Sequence, residues 1–444
     1  MVDLSPELIA IVMFAGIFIG ILLGYPLAIV IGGVAMFVGI LTLGEMTFVI
    51  FRMRLFGLLS DYIFLAAPLF IFMGIMVEKS GAAEKLYGGL YLWLGSLRGG
   101  LAIATILMGT IVAATVGIVA ASVIMLGLIA APSMLQRGYN RELVSGSVCA
   151  GGCLGILIPP SVMLVFYGPM AGLSVGKLFM AAFIPGGVLS ALYCGYIATR
   201  CQLQPELAPP VPKEERMIPF LKKVKILIFA MLPPLLLILA VLGSIFFGVA
   251  APTEAAALGA LAATLLAVAY RRFNWQILKD TVLQTMGIAC MALLVGICAS
   301  MFTAVFLRLG GGQVVSDIVL AAPGGRWGSF GLIMFIIFIL GMLIDWLGIL
   351  FLMVPLITPI GEALGFNALW FAMMVCVNLQ MSFLTPPLAY AIFYFRGIAK
   401  PEWGINAAHI IRGVIPFIIL IMVGLGLFIA FPQLILWLPS QMIK

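Results

Sequence analysis

Two proline doublets stand in polar breaks within apolar sequence, Ile158-Pro159-Pro160-Ser161 and Leu384-Thr385-Pro386-Pro387. Inside a helix, Pro159 and Pro160 cannot donate to the carbonyls of Gly155 and Ile156, and Pro386 and Pro387 cannot donate to those of Ser382 and Phe383. At membrane depth no water replaces the lost partners, so such breaks survive only where they line a cavity or are buried in protein. Freed carbonyls beside the hydroxyls of Ser161 and Thr385 are hard neutral oxygens of the kind an alkali cation takes. Half-helix N-termini at the same breaks carry positive dipole ends that suit an anion. One such proline reads as an ordinary kink; two doublets at corresponding places point to a paired site.

Asp345-Trp346-Leu347-Gly348 interrupts a second apolar run, from Leu332 to Ile357. An acid near the bilayer centre costs about 2.5–3.5 kcal/mol on insertion scales, so Asp345 is expected to meet a cation, a proton or a hydrogen-bond donor; a helix cap is the alternative. In the earlier apolar region, Gly109-Thr110 and Thr115-Val116-Gly117 mark a turn, with Ser122 on the return arm. Asn378 and Gln380, on the helix leading to Thr385, are candidates for orienting a substrate, and packing between helices is the competing role for both.

These residues must be held by membrane helices. The chain is 64% hydrophobic and 9% charged over 444 residues, more apolar surface than a soluble fold of this size can cover. At roughly 20 residues per crossing there is room for about a dozen spans, giving an all-α polytopic membrane protein. His409 is the only histidine and no CxxC occurs, so the 7 cysteines read as structural thiols, with no transition-metal site and no catalytic group. Gly172-Leu173-Ser174-Val175-Gly176 matches a hydrolase pattern but lacks its strand-turn-helix setting, and no P-loop is present. The first 25 residues carry acids rather than a basic leader, so no cleaved signal peptide is expected.

The chain divides near its middle. In residues 1–202 spans are expected near 7–23, 26–42 and 61–78, then an amphipathic stretch near 82–97. A hairpin at about 99–136, a broken helix at about 140–172 and a span near 184–200 complete this half. Residues 203–219, with Pro205, Pro209, Pro210, Pro212 and the run Lys213-Glu214-Glu215-Arg216, read as an exposed cytoplasmic linker. Residues 220–444 repeat the plan. Spans are expected near 224–247, 252–270 and 285–307 and an amphipathic stretch near 311–321, then a hairpin at about 326–360, a broken helix at about 367–396 and a last span near 413–437.

Charge orients the two halves. With the N-terminus outside and both long regions re-entrant, all but six of the 23 basic residues fall on the cytoplasmic side, the exceptions being Arg52, Arg54, Lys177, Arg308, Arg326 and Lys444. The hairpins then enter from opposite faces, which makes the repeats inverted. The net charge of +7 therefore reports topology in a lipid bilayer, not nucleic-acid binding. Gly16, Gly20 and Gly24 form a small-residue stripe for helix packing or an accessory subunit. Glu254, after Pro252-Thr253, reads as a helix-start acid.

The stretch Gly138-Tyr139 through Gly155-Ile156-Leu157-Ile158-Pro159-Pro160-Ser161, then Tyr167-Gly168, Leu178-Phe179 and Ile184-Pro185-Gly186, resembles the large membrane (M) subunit of tripartite ATP-independent periplasmic (TRAP) transporters, the DctM-like permeases. Pro252-Thr253-Glu254-Ala255-Ala256, Gly341-Met342-Leu343-Ile344-Asp345, Pro355, Pro359 and Asn378 with Thr385-Pro386-Pro387 continue the likeness over nearly the whole chain. The resemblance implies a secondary active transporter of the bacterial inner membrane, importing an organic acid with Na+ as coupling ion and no other cofactor. It implies a scaffold with an elevator-type transport domain, and two partners: a small four-helix membrane subunit (Q) and a periplasmic substrate-binding protein (P).

By matching position, the resemblance puts cation ligands at the first tip and break (Thr115, Gly117, Gly155, Ile156, Ser161) and at the second (Asp345, Gly348, Ser382, Phe383, Thr385). Ser122, Pro160, Asn378, Gln380 and Pro386 are the substrate-side candidates. The first tip departs from the Ser-Gly-Ser type of many members, reading Val116-Gly117-Ile118-Val119. A stand-alone sodium- or proton-coupled carboxylate symporter is the nearest alternative. An intramembrane enzyme would need clustered acids or histidines, and Asp345 and Glu254 do not pair recognisably in sequence.

Overall fold

Short polar residues start many of the helices. Asn140, Asn367 and Asn274 each accept main-chain N–H groups of the turn that follows, and Ser5 accepts that of Leu8. Glu254 reaches back to the Ala251 N–H at 2.8 Å, which gives that acid a capping role. Ser174 likewise caps a helix and serves no hydrolase elbow.

In a computed structural model, residues 5–212 and 218–442 are described, the side chains of Ala113, Ala114 and Val116 excepted. The first half comprises α1 (Pro6–Leu22), α2 (Leu27–Leu43), α3 (Met46–Leu59), α4 (Ala66–Lys79), α5 (Ala82–Leu94), α6 (Gly100–Val116), α7 (Val119–Gln136), α8 (Arg141–Cys153), α9 (Val162–Ala171) and α10 (Val175–Leu203). The second comprises α11 (Phe220–Phe246), α12 (Pro252–Ala269), α13 (Trp275–Arg308), α14 (Gly311–Leu320), α15 (Gly325–Gly341), α16 (Trp346–Ala363), α17 (Ala368–Leu384), α18 (Tyr390–Ile398), α19 (Ala407–Ala430) and α20 (Gln433–Ser440). Among the described residues, 8 helical segments are long and apolar enough to cross a membrane unaided.

Both long apolar regions are helical hairpins, α6–α7 and α15–α16, and both proline-bearing segments are interrupted helices, α8–α9 and α17–α18. The two faces of the bundle are marked by α19. Near its start Arg412 lies 3.8 Å from Glu142; near its end the Phe428 carbonyl accepts the Trp370 indole N–H at 2.9 Å. About 24 Å of helix separates these points at 1.5 Å per residue. Tyr139, close to Glu142 in the chain, accepts the Leu101 N–H through its hydroxyl at 3.2 Å, so the open end of α6–α7 lies at the first face. Trp327 and Phe366 pack at 5.3 Å between ring centroids, with Trp327 and Trp370 at 6.4 Å, so the open end of α15–α16 lies at the second. The two hairpins thus open toward opposite ends of α19.

The structure differs from the sequence reading in several places. Helix α3 was not anticipated, because Arg52 and Arg54 interrupt its apolar run; Thr47, Ile50, Phe51 and Leu58 still give it a buried stripe while both arginines face outward. Helix α10 starts at Val175 and α13 at Trp275, well before the expected spans, since polar first turns extend helices beyond what hydropathy marks. The linker is exposed at Gln204, Pro205, Glu206, Pro210 and Pro212, and its described part is also tethered to the bundle. Val211 N–H donates to Gly95 O at 2.8 Å, Asn140 N–H to Leu207 O at 2.8 Å and Gly99 N–H to Ala208 O at 3.3 Å, with Ala208 and Val211 buried. Lys213-Glu214-Glu215-Arg216 and Lys444 lie outside the described residues. Gly16 and Gly20 seat Val34 and Val30 of α2, so that stripe is used within the chain.

Among the described residues, the closest backbone approach between two helices couples α8 to α19, where a Cβ on Gly146 would stand 2.1 Å from the Gly413 carbonyl oxygen. Gly146→Ala is therefore expected to destabilise the detergent-solubilised protein by about 1–3 kcal/mol. Gly187→Ala, on an exposed surface with nothing within 4 Å of its Cβ, is expected to leave the thermal unfolding temperature unchanged or slightly raised.

Candidate functional site

The first hairpin turns at Gly117, whose φ of 67° is a left-handed conformation that favours glycine. A Cβ there would lie 3.2 Å from the Val162 nitrogen and 3.6 Å from the Pro160 oxygen, so the tip rests directly on the first break. The break itself is a single turn at Leu154–Ile156, then irregular backbone containing a cis Pro159-Pro160 bond, then α9. Its carbonyls are not all free: the buried Ser161 hydroxyl donates to Ile156 O. Thr115 at the tip donates to Val112 O at 2.6 Å.

The second tip meets its break in the same way. Leu388 N–H, just past the cis Pro386-Pro387 bond, donates to Met342 O at 3.3 Å, and Gly341 seats the Ser382 side chain. Thr385 caps α17 with its N–H on Ser382 O at 3.1 Å and its hydroxyl on Met381 O at 2.8 Å. Ser382 O is therefore engaged as well. Thr115, Ser161 and Thr385 each give their proton to a main-chain carbonyl, which leaves the lone pairs of the hydroxyl oxygen available for a cation. This donor set of neutral oxygens fits a hard monovalent ion.

Between the two tips lies a cavity of about 460 Å³. The four helices that start at the tips and breaks place their first residues on it, Val119 of α7, Val162 of α9, Trp346 of α16 and Tyr390 of α18, and so does α2 with Leu27. Four positive dipole ends from the tips and breaks thus border one space, while among the lining residues there is no Lys, Arg or His. Asp345 also lines it. It holds the N-cap position of α16 in extended conformation and is drawn toward the Trp346 and Leu347 amides, but closes no capping hydrogen bond of ordinary geometry. Tyr390 and Tyr394 lie near enough to feel its charge. The wall facing the tips belongs to Leu27 of α2, Ile71 of α4 and the Ile288–Val295 stretch of α13.

Of the sequence candidates, Asp345 and Phe383 line the cavity, whereas Thr115, Gly117, Gly155, Ile156, Ser161, Ser382 and Thr385 form the two tip-and-break junctions around it. Gly348 packs against Ile344 and Leu27. Ser122 is buried with no partner for its hydroxyl among the described residues, and Pro386 is exposed. Asn378 is committed to packing: its amide donates to Met334 O at 2.7 Å, and Ser382 donates to Phe338 O at 3.2 Å, tying α17 to α15. Gln380, fully buried, has no partner for either amide atom among the described residues. Phe166, Tyr390 and Tyr394 were missed, because aromatic residues in apolar helices look like core; Tyr390 and Tyr394, one turn apart directly after Pro386-Pro387, were the available signal.

Comparison with known proteins bears on this arrangement. Residues 11–434 match the family model described as tripartite ATP-independent periplasmic transporter, DctM component. The chain is 27% identical over 388 residues to the sialic acid TRAP transporter permease protein SiaT of Haemophilus influenzae, covering 87% of this chain and 61% of that longer protein. To the C4-dicarboxylate TRAP transporter large permease protein DctM of Pseudomonas aeruginosa it is 29% identical over 390 residues, covering 87% and 88%. Among solved structures, the Alcanivorax borkumensis YdaH transporter shares the fold at a TM-score of 0.61 and 15% identity, covering 89% of this chain and 90% of that one.

Asn378 and Gln380 are expected to respond oppositely. Asn378→Leu removes the hydrogen bond that ties α17 to the Met334 carbonyl of α15 and should lower stability by about 0.5–1.5 kcal/mol; Gln380→Met removes a buried amide with no partner among the described residues and should leave the unfolding temperature in detergent unchanged or raised. Equal losses in both would contradict these assignments.

Proposed function

Because the chain belongs to the DctM-component family of tripartite ATP-independent periplasmic transporters, we propose that this multi-pass inner-membrane permease imports an organic acid on a sodium gradient. The observation that carries the reading is the convergence of both tips and both breaks on one cavity bordered by four helix N-termini. Relatives named for sialic acid and C4-dicarboxylate support an anionic cargo, and they are named permeases rather than enzymes.

In this mechanism one cation sits at each tip-and-break junction. At the first, the Thr115 and Ser161 hydroxyl oxygens and nearby carbonyls would hold it; at the second, Thr385 and the Asp345 carboxylate. Cation binding draws each tip onto its break and offsets the charge of Asp345, and the four N-terminal amide groups can then accept a carboxylate. The hairpins and broken helices (α6–α10 and α15–α20) form the transport domain, and α1–α5 with α11–α14 form the scaffold. Inverted repeats explain the opposite entry of the hairpins, and an elevator-like displacement of the transport domain along α13 carries the cavity across the membrane. A periplasmic binding protein delivers the acid, and a small four-helix subunit completes the scaffold.

Reconstituted with both partners, the protein should take up its acid under an inward sodium gradient and not under a potassium gradient. Asp345→Asn should raise the sodium concentration for half-maximal uptake about tenfold, which corresponds to about 1.4 kcal/mol, and Thr385→Val should shift it in the same direction. Sodium titrations unchanged in both variants would sink the second cation site. Undiminished uptake without the binding protein would favour a stand-alone symporter.

A further inference from the structure

Taking that reading of the site as its premise, we infer that the cargo is a monocarboxylate with a flat apolar body, an aromatic acid, rather than a dicarboxylate or a polyhydroxylated acid. The cavity's polar side chains are few: Asp345, with the Tyr390 and Tyr394 phenols close enough to sense its charge, and the Trp346 indole. The rest of the lining, with Ile118 and Val119 of the first tip and Phe166 of α9 among it, offers only apolar side chains. The space is therefore largely apolar, with a single acidic side chain and no basic one.

Rings from both halves of the chain supply the walls. Phe166 and Trp346 stand 6.3 Å apart between centroids, and Phe383 and Tyr390 also 6.3 Å, within the range at which aromatic rings associate. A dry cavity of about 150 Å³ takes a benzene. At about 460 Å³ this one has room for a one- or two-ring acid beside its ions.

The polar count rejects the other acids. A single carboxylate can be met by the N-terminal amides and the cations. A second carboxylate would fall either on the apolar wall or near Asp345, with no basic side chain among the lining residues to receive it. A sugar acid carries more hydroxyls than two phenols, one indole and one carboxylate can satisfy, and each unmet hydroxyl loses its water for nothing. Ile118, Val119 and Phe166 are thus the specificity-determining residues.

The test measures binding to the purified permease with its small membrane subunit, in sodium and without the binding protein, using phenylacetate, naphthoate, succinate and gluconate as probes and thermal stabilisation as the readout. Phenylacetate or naphthoate should bind at least about tenfold more tightly than succinate or gluconate. The Ile118→Ser/Phe166→Ser double variant should erase that preference while still being stabilised by sodium, which shows that it folds. A variant that loses sodium stabilisation is replaced by Ile118→Ser alone, for which a narrowed preference is expected. Tighter or equal binding of succinate or gluconate overturns the specificity inference and leaves sodium-driven carboxylate transport standing. Sodium stabilisation with no acid bound at all overturns both the inference and the placing of the anion in this cavity.

Discussion

A membrane-embedded backbone has to satisfy its own polar groups, and this chain meets that demand at its two breaks by using the hairpins. At the second, Leu388 N–H past Pro386-Pro387 finds Met342 O on the α15–α16 tip; at the first, Gly117 lies against Pro160 and Val162 while Ser161 covers Ile156 O. Neither a break nor a tip would be tolerable at membrane depth alone. Their mutual cover explains why two hairpins accompany two interrupted helices and why Gly117 and Gly341, which leave no side chain in the way, stand at the contacts.

Electrostatics follows from the same geometry. Interrupting a helix creates a new N-terminus as well as a new C-terminus, and here four of the N-termini border one cavity. Anion attraction is thereby built from main-chain amides, in a space whose lining carries no basic side chain. The carbonyl-rich C-terminal ends of α6 and α17, where the Thr115 and Thr385 hydroxyls donate back to Val112 O and Met381 O, supply the opposite polarity a short distance away. Opposite helix ends lie side by side because helix ends come in pairs, which would give the proposed coupling a physical basis: an ion at one end would stabilise the opposite charge at the other.

Much of this was legible in the residues. The two helical hairpins and the two interrupted helices followed from the proline doublets and the apolar lengths. Asp345 was found because an acid in an apolar run is costly. What stayed hidden had a common cause, in that hydropathy registers composition and not which face a residue presents. Helix α3 was lost to two outward arginines. The linker at residues 205–212 is exposed at Pro205, Glu206, Pro210 and Pro212, but its prolines gave no sign that its main chain bonds to Gly95, Gly99 and Asn140. Asn378 and Gln380 looked alike in sequence, but one is satisfied by the Met334 carbonyl and the other has no partner. Aromatic lining at Phe166 and Tyr394 is indistinguishable from core until the cavity is seen.

The account's central claim is that both tip-and-break junctions act as one cation-dependent unit around the cavity. Hydrogen–deuterium exchange of the permease in lipid, compared in sodium and in potassium, tests it most directly. Sodium is expected to protect the segments around Gly117 and Ser161 together with those around Asp345 and Leu388, with potassium leaving all four exposed to exchange. Protection of neither junction, or equal protection by both cations, would contradict it.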